Sequence, residues 1–184
     1  MRAARPILPW IAALCVGLSI SAARAEAPAP TEQQLKAVFL FNFTHFVAWP
    51  ADAFGSPTEP FVIGVLGGDA LADELDKAVH DERLDAHPLQ VRRLRGIEDV
   101  RDCKILFIDR SQGADLDRVL GRLAHTDTLT VSDLDGAAGR GVIIQLAMQN
   151  NRIQLLVNAD SAHSAGLTIS SNLLRLSKVA HSAN

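Results

Sequence analysis

Three aspartates, Asp69, Asp109 and Asp133, fall just after apolar stretches rich in β-forming residues. If those stretches are parallel strands of an open α/β sheet, ligands bind at their carboxyl ends. The three carboxylates then read as one candidate binding rim. Aspartate is also an ordinary capping and turn residue, and both readings stand. Gly64-x-x-Gly67-Gly68 invites a nucleotide-binding reading. Its spacing is not G-x-G-x-x-G, and no Lys-Ser/Thr follows to cradle a phosphate. Glycines that turn a strand into a helix account for it. The six histidines are scattered, with no H-x-x-x-H pair to present two nitrogens to a metal. Ser132-Asp133, Ser170-Ser171 and Cys103 offer hydroxyls and a thiol, yet no G-x-S-x-G elbow exists. No base, orienting residue and oxyanion hole come together, so neither an enzyme nor a resident metal or cofactor is expected.

Asn42 and Trp49 stand out for a different reason. Residues 36–50, KAVFLFNFTHFVAWP, hold five aromatic side chains. Leu35, Val38, Phe39, Asn42, Phe43 and Phe46 recur at helical spacing and predict one apolar face. Asn42 on that face reads either as a ligand or partner contact or as an amide bonded to a neighbouring loop, since an unsatisfied buried amide costs roughly 1–3 kcal/mol. Trp49 reads either as an interface anchor or as cover for the core edge. Lys36 and His45 interrupt the run, so it is no conventional membrane span.

The elements that must position these residues alternate. Thr31-x-x-Gln34 is a capping box that opens the aromatic helix, and Pro50 stops it. Phe61–Leu66 is a continuous apolar run, as a strand buried on both faces would be. An amphipathic helix over 70–80, a strand over 89–94, a helical turn at 97–100 and a strand over 104–108 follow. Next come a helix over 114–123 and a strand over 128–131. The spacing then predicts an antiparallel hairpin, 141–148 with 152–157, turning at Gln149-Asn150-Asn151. A last helix is predicted over 170–179. The fold class is α/β: one layered domain, a largely parallel sheet flanked by helices, and a C-terminal antiparallel hairpin plus helix.

The first 25 residues read as a secretory signal peptide: Arg2 and Arg5, an apolar stretch from Ile7 to Ile20, then Ala23-x-Ala25. Leu14 before Cys15 is too bulky for a lipoprotein signal. Residues 26–31 read as an Ala/Pro linker and 32–184 as the folded domain. Removal of Arg2, Arg5 and Arg24 leaves 15 basic against 21 acidic residues, a net charge of −6. That argues against nucleic acid and anionic lipid as main partners. Cys103 remains as the sole cysteine, so no internal disulfide is possible.

Lys36-Ala37-x-Phe39-Leu40-x-Asn42-Phe43-x-x-Phe46-Val47-x-Trp49-Pro50 resembles the opening motif of the YfiR-like family of periplasmic proteins. Similar to that family too are Ile63-x-Val65-Leu66-Gly67, Cys103-x-Ile105-Leu106-Phe107-Ile108, Leu129-Thr130-Val131-Ser132-Asp133 and Gly166-Leu167-x-Ile169-Ser170-Ser171-x-Leu173-Leu174-Arg175-Leu176. The resemblance implies a non-enzymatic periplasmic repressor that binds the sensor part of an inner-membrane diguanylate cyclase and holds it inactive, lowering cyclic di-GMP and biofilm. It implies an outer-membrane lipoprotein that sequesters the repressor, and it is compatible with a histidine kinase as the membrane partner and with a homodimer. The rival expectation is a periplasmic small-molecule sensor using the aspartate rim. Relatives often carry a cysteine where Gly64 stands, paired with the one matching Cys103; that bridge is absent here. The loop from Asp135 to Gly141 departs from the family pattern near Ala137 and Val142, and Arg140 within it is a further candidate contact.

Overall fold

The computed structural model describes residues 29–149 and 152–180. The signal peptide, the first residues of the linker and the centre of the Gln149-Asn150-Asn151 turn lie outside the described residues.

The first element among the described residues is helix α1, Glu32–Phe46. Thr31 caps it: its hydroxyl accepts from Gln34 N–H, and the Gln34 side chain accepts from Thr31 N–H. A two-residue strand β1, Val47–Ala48, follows. Then come β2 (Phe61–Leu66), α2 (Asp69–Ala78), β3 (Arg83–Leu84), β4 (His87–Leu94), a 3-10 turn (Ile97–Asp102) and β5 (Ile105–Ile108). After a short 3-10 turn (Arg110–Gln112) come α3 (Leu116–Arg122), β6 (Leu129–Ser132), a 3-10 turn (Ala137–Arg140), β7 (Ile144–Gln149) and β8 (Arg152–Asn158). The last elements among the described residues are α4 (Ala159–Ser164), β9 (Thr168–Ile169), α5 (Ser171–Leu176) and β10 (Lys178–Ala180).

The main sheet has the order β10-β8-β7-β6-β5-β2-β4-β3. Its central five strands, β4-β2-β5-β6-β7, are parallel. The hairpin β7–β8 and the edge pair β3–β4 are antiparallel. A second, two-stranded ribbon joins β1 to β9. The expected layered α/β architecture with its C-terminal hairpin is thus the one observed.

Alternation along the strands divides the core in two. Phe61, Ile63 and Val65 of β2, with Ile105, Phe107, Leu129 and Val131, pack against α1, α2, α4 and α5. Val62, Leu66, Leu106 and Ile108 face Val100, Leu116 and Val119 on the opposite side. Both faces are covered, which explains why β2 reads as an unbroken apolar run.

Two expectations are corrected. The buried face of α1 is Lys36, Ala37, Leu40, Phe43 and Thr44, whereas Val38 is 52% exposed and Phe39, Asn42 and Phe46 are half-buried. The smaller Ala37 and Leu40 are buried where α1 runs beside α2, and the bulky rings of Phe39 and Phe46 are only partly covered by the core. The last helix ends at Leu176. Ser177 turns extended (φ −108°, ψ 164°), and residues 178–180 pair in parallel with Leu156, Val157 and Asn158 of β8. Hydrogen bonds to an open strand override a helical apolar pattern at the end of the chain. The ribbon β1–β9, the short β3 and helix α4 were not legible in the sequence.

Candidate functional site

Strands β2, β5 and β6 end in register: Leu66 pairs with Ile108, and Ile108 with Ser132. The residues that follow therefore meet at one edge, and Asp109 N–H donates to Leu66 O at 3.0 Å. The strand order reverses between β2 and β5, the position where open α/β sheets form a crevice. Gly67 (φ +76°) and Gly68 (φ +75°) make the turn there. A Cβ on Gly67 would lie 3.0 Å from Asp109 Cβ, so the turn needs glycine for both backbone and space. This is the strand-to-helix turn that the glycine spacing allowed.

The structure gives the three aspartates different tasks. Asp69 opens α2 and is exposed. Asp109 caps the turn Arg110–Gln112 by accepting from Ser111 N–H at 2.9 Å. Asp133 is buried, its side chain 1% exposed. It accepts from Lys36 Nζ at 2.6 Å, from Arg110 N–H at 2.7 Å and from Arg110 Nε at 2.8 Å. Glu32 closes the circuit, 2.5 Å from Lys36 Nζ and 2.7 Å from Arg110 Nη2. Two cations and two anions thus form a ring that clamps the first turns of α1 over the carboxyl edge of the sheet. Burial alone would raise the Asp133 pKa; the hydrogen bonds and charges of Lys36 and Arg110 outweigh it and hold the carboxyl below the ordinary aspartate value. Asp133 in turn raises the pKa of Arg110.

Lys36, Glu32 and Arg110 are the members that sequence reasoning missed. Lys36 counted only as an interruption of an apolar run. The usable signal was a lysine one turn after Glu32 on an otherwise apolar helix, since a buried ammonium needs a carboxylate within reach.

The remaining candidates lie elsewhere. Trp49 sits at the amino edge, its ring 4.8 Å from and perpendicular to that of Phe61, and its buried indole Nε1 has no hydrogen-bond partner among the described residues. Asn42 is half-buried on α1, and its amide bonds no described residue. Arg140 is held to α3 and the loop before it, donating to Asp117 Oδ1 at 2.9 Å and to Gly113 O at 3.2 Å. The rim therefore gathers Asp69, Asp109 and Asp133 but not Asn42, Trp49 or Arg140.

The amino edge carries its own cluster. Phe54 stacks on His87 at 3.9 Å, and Lys104 Nζ lies 5.1 Å from the Phe54 ring centre while pairing with Asp127 at 3.2 Å. Beside it lie two adjoining hollows of about 430 and 270 Å³, which share His125, Ser164 and Ala165. His125 adopts a left-handed backbone (φ 66°). Cys103 is buried against Gly64, and burial pushes its thiol up to about 11, so it is no ready nucleophile. Among the described residues no group of three or more His, Cys, Asp or Glu could hold a metal ion, and no helix is long and apolar enough to cross a membrane.

Compared with known proteins, residues 33–178 match the family model described as YfiR/HmsC-like. No curated protein matches the chain.

Proposed function

This chain belongs to the YfiR/HmsC-like family, and we propose that it represses an inner-membrane signalling protein by binding that protein's periplasmic sensor domain. Family membership supports a regulatory, non-catalytic role in diguanylate cyclase signalling and a periplasmic location. The finer reading names the cyclase as the target and cyclic di-GMP and biofilm as the output. A histidine kinase sensor is the other partner of the same kind, and an outer-membrane lipoprotein would sequester the repressor.

The observation that carries this reading is the family match over residues 33–178. The geometry supports it. At the carboxyl edge, where an α/β sheet would hold a small ligand, Asp133 is already engaged by Lys36 and Arg110. That edge is braced from within, which suits a rigid binding module. Repression then works as a population shift: a module that binds only the inactive sensor conformation lowers output in proportion to its differential affinity.

The test has two parts. The mature chain, tagged at its C-terminus, is used to capture partners from solubilised host membranes, and the gene is deleted. Recovery of a membrane cyclase or kinase with a periplasmic sensor domain, together with raised cyclic di-GMP on deletion, is expected. An unchanged cyclic di-GMP level and unchanged biofilm refute the reading.

A second reading, a small-molecule sensor, draws on the two adjoining amino-edge hollows that share His125. A thermal shift with a periplasmic metabolite, abolished by His125→Ala, would support it.

A further inference from the structure

The end of the sheet near β10 is incompletely covered. Strand β7 pairs with β8 along Arg152–Val157. On its other side β8 is covered by β10 only at Leu156, Val157 and Asn158. No described strand flanks Arg152–Leu155 there. Successive residues of a strand turn their N–H and C=O groups to opposite sides, so part of this stretch presents open backbone groups outward. Along it runs a groove of about 580 Å³ lined by Gln149, Arg152, Ile153, Gln154 and Leu176. A second groove, about 340 Å³, adjoins it through Arg152 and Ile153 and reaches Leu35 and Phe39 of α1.

The apolar anchors are exposed. Leu176 is 78% and Val179 58% accessible. The charges around them are unneutralised: among the described residues no carboxylate pairs with Arg152, Arg175 or Lys178. The contrast with the rest of the chain is strong. Residues 26–140 hold 12 basic and 20 acidic residues, whereas residues 141–184 hold three basic residues and the single acid Asp160.

We propose that the open stretch of β8, Arg152–Leu155, is the docking edge for an extended segment of the partner in which acidic and apolar residues alternate, and which adds to the sheet in line with β10. The proposal rests on the partner-binding reading above and names the surface it uses. Main-chain hydrogen bonds to β8 supply affinity, and alternate side chains supply specificity. Acidic residues of the segment meet Arg152, Arg175 and Lys178; its apolar residues meet Ile153 and Leu176. An anionic membrane would satisfy the same charges and anchors but offers no backbone to the open strand, so the peptide segment fits better. The outer edge of β10 itself is short and carries Lys178, a device that discourages indiscriminate strand pairing.

The experiment places a photo-reactive phenylalanine at Gln154, and in a control at exposed Arg95, in the full chain expressed in its host. Illumination at position 154 is expected to give an adduct with an acidic extended segment of a membrane signalling protein, and at position 95 none. In the purified complex the amides of residues 152–155 gain exchange protection. Leu176→Glu combined with Lys178→Glu, both exposed positions, weakens capture roughly tenfold without moving the unfolding midpoint. A position-154 adduct with a second copy of this chain, or with lipid, overturns the proposal. Capture with equal adducts at 154 and 95 and no protection at 152–155 also overturns it, while leaving the partner-binding reading intact. If the unsubstituted chain captures no membrane signalling protein, that reading falls and this inference with it.

Discussion

Replacing Lys36 by Met tests whether the ring of charges holds α1 in place. Lys36 is 1% exposed, and its ammonium stands 2.6 Å from Asp133 and 2.5 Å from Glu32. Methionine keeps the apolar stem and most of the volume, so the change isolates the charge. A buried ion that loses its only partner costs about 3–5 kcal/mol. Asp133 retains two donors from Arg110 at 2.7 and 2.8 Å, and Glu32 is partly solvated. The expected loss is therefore smaller, about 2–3 kcal/mol. The assay is urea unfolding at pH 7 read by tryptophan fluorescence. Trp49 is the one tryptophan outside the N-terminal apolar stretch, and it packs on Phe61 in the core. Combining Lys36→Met with Asp133→Asn should cost about 2 kcal/mol less than the two single losses added together, because each already removes the other's partner. A loss below about 1 kcal/mol with strictly additive singles refutes the reasoning. The ring would then be no more than a surface-like pair that water could replace.

Leu40→Ala should destabilise by about 2–5 kcal/mol, as a fully buried leucine does, while Val38→Ala on the exposed side should change stability by less than about 0.5 kcal/mol; equal losses in a denaturation series would restore the rejected helix face. The folded pKa of Asp133 lies below its unfolded value, so its contribution is present above about pH 4 and is lost as pH falls through the folded pKa. Asp133→Asn should consequently flatten the acid limb of a stability–pH profile, and a parallel curve would show the carboxylate to be uncoupled. With its thiol pushed up to about 11 by burial, Cys103 should react with a thiol reagent at pH 8 only at the rate of chain opening, so fast labelling of the native protein would contradict the structure. A Cβ built on Gly64 lies 2.5 Å from Cys103 Sγ, so Gly64→Cys, after a small rotation of the Cys103 side chain, should form a bridge under oxidising conditions and raise stability by about 2–4 kcal/mol on non-reducing mass and unfolding measurements.

Much of the fold was legible because the central strands are buried on both faces. Phe61–Leu66 has one apolar reading at any register, and its predicted bounds are the observed ones. The capping box at Thr31 and Gln34 marked the start of α1 correctly, since both hydrogen bonds are local. The face of α1 was not legible, because an aromatic-rich helix shows several overlapping stripes and only its neighbours choose among them. Lys36 makes the same point from the polar side: its partner Asp133 lies 97 residues away, beyond any local pattern. The aspartate rim was half legible. Parallel strands in register do bring Asp109 and Asp133 to one edge, but whether a carboxylate there faces solvent or an internal cation is decided by long-range packing. The end of the chain failed for a related reason, since a leucine-rich pattern cannot reveal that an unfilled strand edge awaits it.

The small ribbon of β1 and β9 has a bearing on the order in which the molecule can be assembled. Val47 and Ala48, at the close of the first helix, pair with Ile169 and Thr168, and Ser170 N–H donates to Phe46 O at 2.9 Å. The first helix of the described residues is therefore fastened by a strand more than a hundred residues later. Until Ile169 is available, α1 lacks its final anchor, and the apolar sheet face that it covers stays open. Such distant pairings slow folding and lengthen the life of incomplete states. A chain truncated before Thr168 should accordingly behave as a collapsed, protease-sensitive species, and completion of the domain should coincide with the arrival of the segment from Thr168 to Ser170 rather than proceed in step with synthesis.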